Sequence, residues 1–161
     1  MDLLQKARAL YLAGETHQAL ELAQKAAENH ARDAEAWWLL ACISRHADLP
    51  GASDEAFKRA AALSKRKPEP VRLSAEEFVV ICDEALAALS ADAKRRLGKA
   101  GVNIDALPTP QAVRAGTSPD ALTTRTREPE DELTLYQANF ENRCGSATEL
   151  RKLVARTLAR A

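Results

Sequence analysis

The sequence predicts a mainly α protein. Two antiparallel helical hairpins occupy residues 1–64, and a capping helix is packed on a small α+β module with a short two-stranded sheet. Three observations predict it. Residue types recur at a spacing of 34 in the opening segment, with Ala7 returning as Ala41 and Ala26 as Ala60. The composition is 46% apolar and 29% charged but only 4% aromatic, which suits Ala- and Leu-based helices better than a sheet-dominated fold. Beyond residue 101 the helical spacing gives way to short alternating runs and a proline- and threonine-bearing stretch, and it returns at Ala147.

The hairpins come first. In the register of 34, Leu10 matches Ser44, Gly14 matches Asp48, Ala19 matches Ser53 and Ala23 matches Phe57. Small residues at Ala7, Ala19, Ala41 and Ser53 let antiparallel helices approach closely, while Leu10 and Phe57 fill the gaps between them. Gly14 suits a tight inter-helix turn because glycine reaches positive φ at little cost. Leu49-Pro50-Gly51 marks a stiffer second turn.

The stretch ALYLAGETHQALELAQKAAENHARDAEAWWLLA resembles the tetratricopeptide repeat family over residues 1 to about 64. Trp37 stands at the aromatic position of the second hairpin, and Gly14 to Leu20 form the turn-then-helix run. Ala31 departs from the pattern, standing where the family often has proline, and Asp48 and Ser53 replace its Gly and Ala. The resemblance implies a protein-binding groove on the face made by the first helix of each hairpin. That face would carry Leu4, Gln5, Arg8, Tyr11 and Leu12 from the first repeat, and Trp38, Leu39, Cys42, Arg45 and His46 from the second. With Trp37 in the core, Trp38 turns toward the groove, where tryptophan and arginine are frequent anchors. Arg8, Arg45 and a protonated His46 would pair with an acidic partner. A competing reading buries Trp38 and Leu39 against the capping helix.

Two repeats do not bury their apolar faces unaided, so a cap is expected downstream. After the link at residues 65–72, Ser74 and Glu77 form a capping box that opens an amphipathic helix over 74–89, with Phe78, Ile81, Cys82, Ala85 and Leu89 on one face. A helix from Ala91 to about Lys99 is expected to stop at Gly101, followed by a strand at Val102–Asp105. Residues 107–129 read as a long mobile loop, Glu132–Tyr136 as a second strand, and Ala147–Arg160 as a closing helix with Leu150, Val154, Thr157 and Leu158 inward.

The order helix, strand, loop, strand, helix over residues 73–161, and above all LTLYQANFENRCGSATELRKLVARTLARA, resembles the bacterial minimal-metalloprotease-like, or zincin-like, family. In that family the last helix runs into H-E-x-x-H, whose two imidazoles hold zinc beside a carboxylate base. Carried over residue by residue, the first zinc histidine falls on Arg160 and the glutamate on Ala161. Arginine has no lone pair for a metal, and alanine is no base. The resemblance therefore implies a degenerate module with no catalytic residue, no metal and no cofactor. An H-E-x-x-H stretch following Ala161 would reopen the catalytic question.

Lys+Arg and Asp+Glu both number 23, so no net field gathers nucleic acid or anionic lipid. No apolar run approaches a membrane span, and the N-terminus lacks the apolar core of a secretory signal. Cys42, Cys82 and Cys144 form no C-x-x-C pair, which together with the missing signal suggests a reducing cytoplasm. His17, His30 and His46 lack metal-ligand spacing, and there is no nucleophile elbow or phosphate loop. The expectation is a non-enzymatic cytoplasmic adaptor that binds an acidic protein or peptide through the repeats, without nucleic acid or membrane partners. Two alternatives are a zinc peptidase completed elsewhere and a self-associating scaffold, a homodimer in its simplest form.

Overall fold

Nine helices and three strands follow one another in the computed structural model, which describes residues 1–161. They gather into two units, one made of residues 1–70 with 108–120 and the other of 71–107 with 121–161. No helix is long and apolar enough to cross a membrane.

The first unit holds two helical hairpins, α1 (Leu3–Leu12) with α2 (Thr16–Asn29), and α3 (Ala34–His46) with α4 (Pro50–Leu63). Asp2 and Gln5 close a capping box on α1, and Asp33 accepts from the Glu35 amide at the start of α3. The spacing of 34 reappears in the backbone. Glu15 N donates to Leu10 O at 2.9 Å and Leu49 N to Ser44 O at 2.9 Å, while Gly14 N donates to Tyr11 O at 3.1 Å and Asp48 N to Arg45 O at 3.2 Å. Gly14 (φ 81°) and Asp48 (φ 60°) both occupy the left-handed region that reverses the chain between helices. Ala7, Ala19, Ala23 and Ala41 are fully buried, so helices meet backbone to backbone there, and Phe57 fills the wider gap of the second hairpin.

The second unit is built on a three-stranded sheet in the order β1 (Gly101–Asp105), β3 (Glu132–Tyr136), β2 (Thr123–Thr126). β1 runs parallel to β3, pairing Val102 with Leu133, and β2 runs antiparallel to it, pairing Thr124 with Thr134. Alternation along β3 turns Leu133 and Leu135 into a core shared with Phe78, Ile81 and Cys82 of α5 (Ala75–Ala87), Phe140 of α8 (Gln137–Asn142), and Leu150, Val154 and Leu158 of α9 (Ala147–Arg160). Inside this unit Glu141 is buried and accepts from Arg72 Nη1 at 3.2 Å, Leu73 N at 2.9 Å and Gln137 Nε2 at 3.1 Å. Those three donors compensate the burial of its charge.

Several sequence expectations need correction. The sheet has three strands, not two, because Thr123–Thr126 pairs with β3. Residues 107–129 are not a bare loop, since they contain that strand and a short helix, α7 (Pro110–Arg114). Helix α6 (Ala91–Leu97) ends at Gly98, which takes φ 60° and donates to Lys94 O; Gly101 opens β1 instead. The short helix α8 (Gln137–Asn142) carries no sequence signal of its own. The apolar face of α5 packs inside its own unit against α9. Segment 108–120, read as part of the sheet module, belongs to the hairpin unit.

Candidate functional site

The last turns of α1 and α3 bring Tyr11 and His46 together, with ring centroids 5.3 Å apart and planes at 78°. Between them they hold a piece of the same chain. Tyr11 Oη donates to Asp120 Oδ1 at 2.6 Å, and His46 Nε2 lies 3.0 Å from Pro119 O, which makes it the donor in the Nε2–H tautomer. The Pro119 side chain is fully buried.

The bound segment is locally shaped before it reaches this point. Thr109 caps α7 through the Ala112 amide at 3.1 Å, and Pro110 occupies the first turn, where its missing N–H costs nothing. Gly116 (φ 113°) ends the turn, and Asp120 N donates to Ser118 Oγ at 3.2 Å, folding Ser118–Asp120 into a compact bend. Gly14 admits α7 closely. A Cβ there would lie 3.0 Å from Arg114 Cγ and 3.5 Å from Pro110 O, so Gly14 serves both the turn and the contact. A cavity of about 420 Å³ opens beside it, lined among others by His17, His46, Asp48 and Arg114.

The electrostatics follow from desolvation. Burial pushes the Tyr11 hydroxyl well above its ordinary value, and the neighbouring Cys42 and Asp120 push it further, so Tyr11 remains a donor across the physiological range. Burial also lowers His46, against the opposing pull of the Pro119 carbonyl and Asp120, so the ring that meets this carbonyl is neutral at pH 7.

The other residues expected in the groove are placed unequally. Arg8, Gln5 and Leu12 are exposed, with Leu12 51% open, and Leu4 is half-buried against the hairpin core. Leu39 and Cys42 are core residues at 3% and 6% exposure, which leaves no free surface on either. Trp38 packs edge-on against Phe57 of α4 at 4.8 Å, and Lys67 lies over its ring while pairing with Glu35 at 2.8 Å. Trp37 is only half-buried rather than central. Its Nε1 donates to Ala31 O at 2.9 Å, and Arg59 stacks on it at 4.6 Å. Arg45 reaches Asp54 on α4 at 3.9 Å.

Pro119 and Asp120 escaped the sequence reading, although Thr-Ser-Pro-Asp is strong turn chemistry. So did Arg143 and Arg156, which with Arg160 line a cavity of about 460 Å³ in the sheet unit. No three His, Cys, Asp or Glu side chains converge in a group able to hold a metal ion. Burial pushes the Cys82 thiol up to about 12 and raises Cys144, so both behave as small core hydrophobes. No family model matches this chain, and no curated protein or solved structure shows significant similarity to it.

Proposed function

We propose that the chain is a non-enzymatic adaptor whose hairpin unit, of tetratricopeptide type, binds a protein or peptide partner on the face made by α1 and α3, while the sheet unit is a degenerate zincin-like module. One observation carries the reading. That face already holds peptide through side chains, with a carboxyl group on Tyr11, a backbone carbonyl at His46 and a buried proline. Exposed Arg8 and Leu12 lie on the same helix as Tyr11, so groups able to contact a partner extend beyond the part already occupied.

The test is affinity capture with the full chain as bait, followed by rebinding of the recovered partner in purified form. Leu12→Glu alters the exposed side chain on this face, and Lys58→Glu alters the exposed surface of α4. The expected result is a partner whose affinity falls at least about tenfold with Leu12→Glu, the scale of one interface anchor, and stays unchanged with Lys58→Glu. Failure to recover any partner, or equal binding by both variants, overturns the reading.

A further inference from the structure

We infer that residues 117–120 are an internal stand-in for the partner: the Tyr11–His46 end of the face takes a peptide in which proline is followed by aspartate, and that peptide binds by displacing the chain's own segment. The inference rests on the reading of the hairpin face as a peptide-binding surface, and it names the ligand chemistry.

Three features of the Pro119–Asp120 dipeptide are read separately. The proline ring is fully buried, its carbonyl oxygen lies 3.0 Å from His46 Nε2, and the following carboxyl group takes the Tyr11 hydroxyl at 2.6 Å. A hydroxyl donor meeting a carboxylate makes a strong, short bond, so a neutral or lengthened side chain after the proline is a poorer fit. Proline itself is bound at low entropic cost because its φ is already set.

The segment is also held in a way that permits exchange. Its buried side chains are Pro108, Val113 and Pro119, while Thr109–Gln111 and Arg114–Gly116 are exposed. None of its residues belongs to the buried cluster that holds the hairpins together, which closes around Ala7, Ala41, Ile43 and Phe57. Undocking gives up the hydrogen bonds from Tyr11 Oη and His46 Nε2, and an outside peptide of the same chemistry restores both. The segment is part of the same chain as the face, so its docking is intramolecular, with an effective concentration on the order of millimolar. An outside peptide of the same chemistry therefore binds the intact chain weakly and a released chain well.

The probe is a synthetic peptide, TPQAVRAGTSPD, copied from residues 109–120, blocked at both ends and carrying a dye at its N-terminus. It is titrated by fluorescence anisotropy against the full chain, against a released chain carrying Pro119→Ala with Asp120→Ala, and against the released chain with Tyr11→Phe. The released chain is expected to bind at least about tenfold more tightly than the unaltered one, as follows when a competent state passes from minor to dominant. Tyr11→Phe, or a peptide with Asn in place of its final Asp, is expected to remove most of that gain. Equal affinity of the unaltered and released chains overturns the inference, and so does a gain that survives Tyr11→Phe. Circular dichroism checks that the released chain folds. Should it not, Asp120→Asn replaces it, with hydrogen exchange of residues 111–120 as the readout, and unchanged protection there is the contrary result. If the peptide binds as expected but no partner is ever captured, the adaptor reading falls and only the preference of the face for proline followed by aspartate stands. If a partner is captured equally by the released chain with and without Tyr11→Phe, the adaptor reading stands and this inference falls.

Discussion

Hairpin α1–α2 and hairpin α3–α4 share their turn hydrogen bonds but surround them with different side chains. The bonds from Glu15 to Leu10 and from Leu49 to Ser44 have the same length, and α2 and α4 both begin without a side-chain cap. Around that common frame Ala23 becomes Phe57, Leu4 becomes Trp38, Ala19 becomes Ser53 and Gly14 becomes Asp48. Ser53 adds a bond that its counterpart lacks, from its Oγ to Ala41 O at 2.7 Å. The two residues that grip segment 108–120 are not counterparts either. Tyr11 stands opposite Arg45 in the register, and His46 opposite Leu12. The backbone of a hairpin thus asks for small residues at close contacts and a left-handed turn, and the grip on the docked segment lies at positions that do not repeat.

The heaviest test of this comparison removes the bulk that distinguishes the second hairpin. Phe57 is fully buried and receives the edge of Trp38 at 4.8 Å, whereas Ala23 fills the equivalent place with one methyl group. Phe57→Ala leaves a void that the first hairpin never had, and the expected loss is about 3–5 kcal/mol of unfolding free energy. Urea unfolding of the full chain measures it. A loss below about 1 kcal/mol, the range of surface changes, would mean that the two hairpins close around alanines alone.

The hairpins were legible because their determinants are local. Residue size at a helical spacing sets how near two helices come, and both the spacing and the left-handed turn at Gly14 are written within one repeat. The strand at Glu132–Tyr136 was legible for a similar reason, since Leu133 and Leu135 alternate with polar neighbours. Its partner β2 was not, because Thr123-Thr124-Arg125-Thr126 has no apolar residue to mark a face and becomes a strand only through pairing with β3. At the site, Tyr11 and His46 stood among the residues expected on the face of α1 and α3. Their occupant was not, since nothing near residue 11 records a carboxyl group from residue 120. The cap Thr109-Pro110 and the bend Ser118–Asp120 announce local structure, and only the tertiary fold says where that structure docks.

A smaller effect separates the two gripping residues by their chemistry. Tyr11 holds its proton throughout the physiological range, while His46 titrates. The groups around the ring are Tyr11 from α1, Asp120 from the docked segment, and His17, Asp48 and Arg114 around the adjoining cavity. Because burial lowers the folded value of His46 below its unfolded one of about 6.5, the unfolded ring binds protons more readily, although the Pro119 carbonyl and Asp120 of the docked segment pull the other way. The ring's contribution to folding is therefore complete above about pH 6.5 and is lost as the pH falls through the depressed folded value. Urea unfolding of the full chain is expected to show this loss between pH 7.5 and 5. In His46→Gln, whose amide is able to donate to Pro119 O, that part of the loss is expected to vanish. Its persistence would assign the pH response to another group.

The smallest change carries one hairpin toward the other. Asp48 adopts φ 60° where the first hairpin has Gly14 at φ 81°, and it is exposed. An L-residue in this region meets its own following carbonyl, a strain that aspartate tolerates better than most residues but that glycine does not feel. Glycine also loses more freedom on folding, which offsets part of the gain. The net expectation for Asp48→Gly is stabilisation by about 0.5 kcal/mol, seen as a rise in Tm. Gly14→Ala is expected to act in the opposite direction and more strongly, because its Cβ meets both the left-handed strain and Arg114 Cγ at 3.0 Å. Equal and opposite responses would mean that the two turns differ only in backbone strain. A larger loss at Gly14, accompanied by faster exchange in 108–120, ties the first turn to the docked segment in a way the second turn is not.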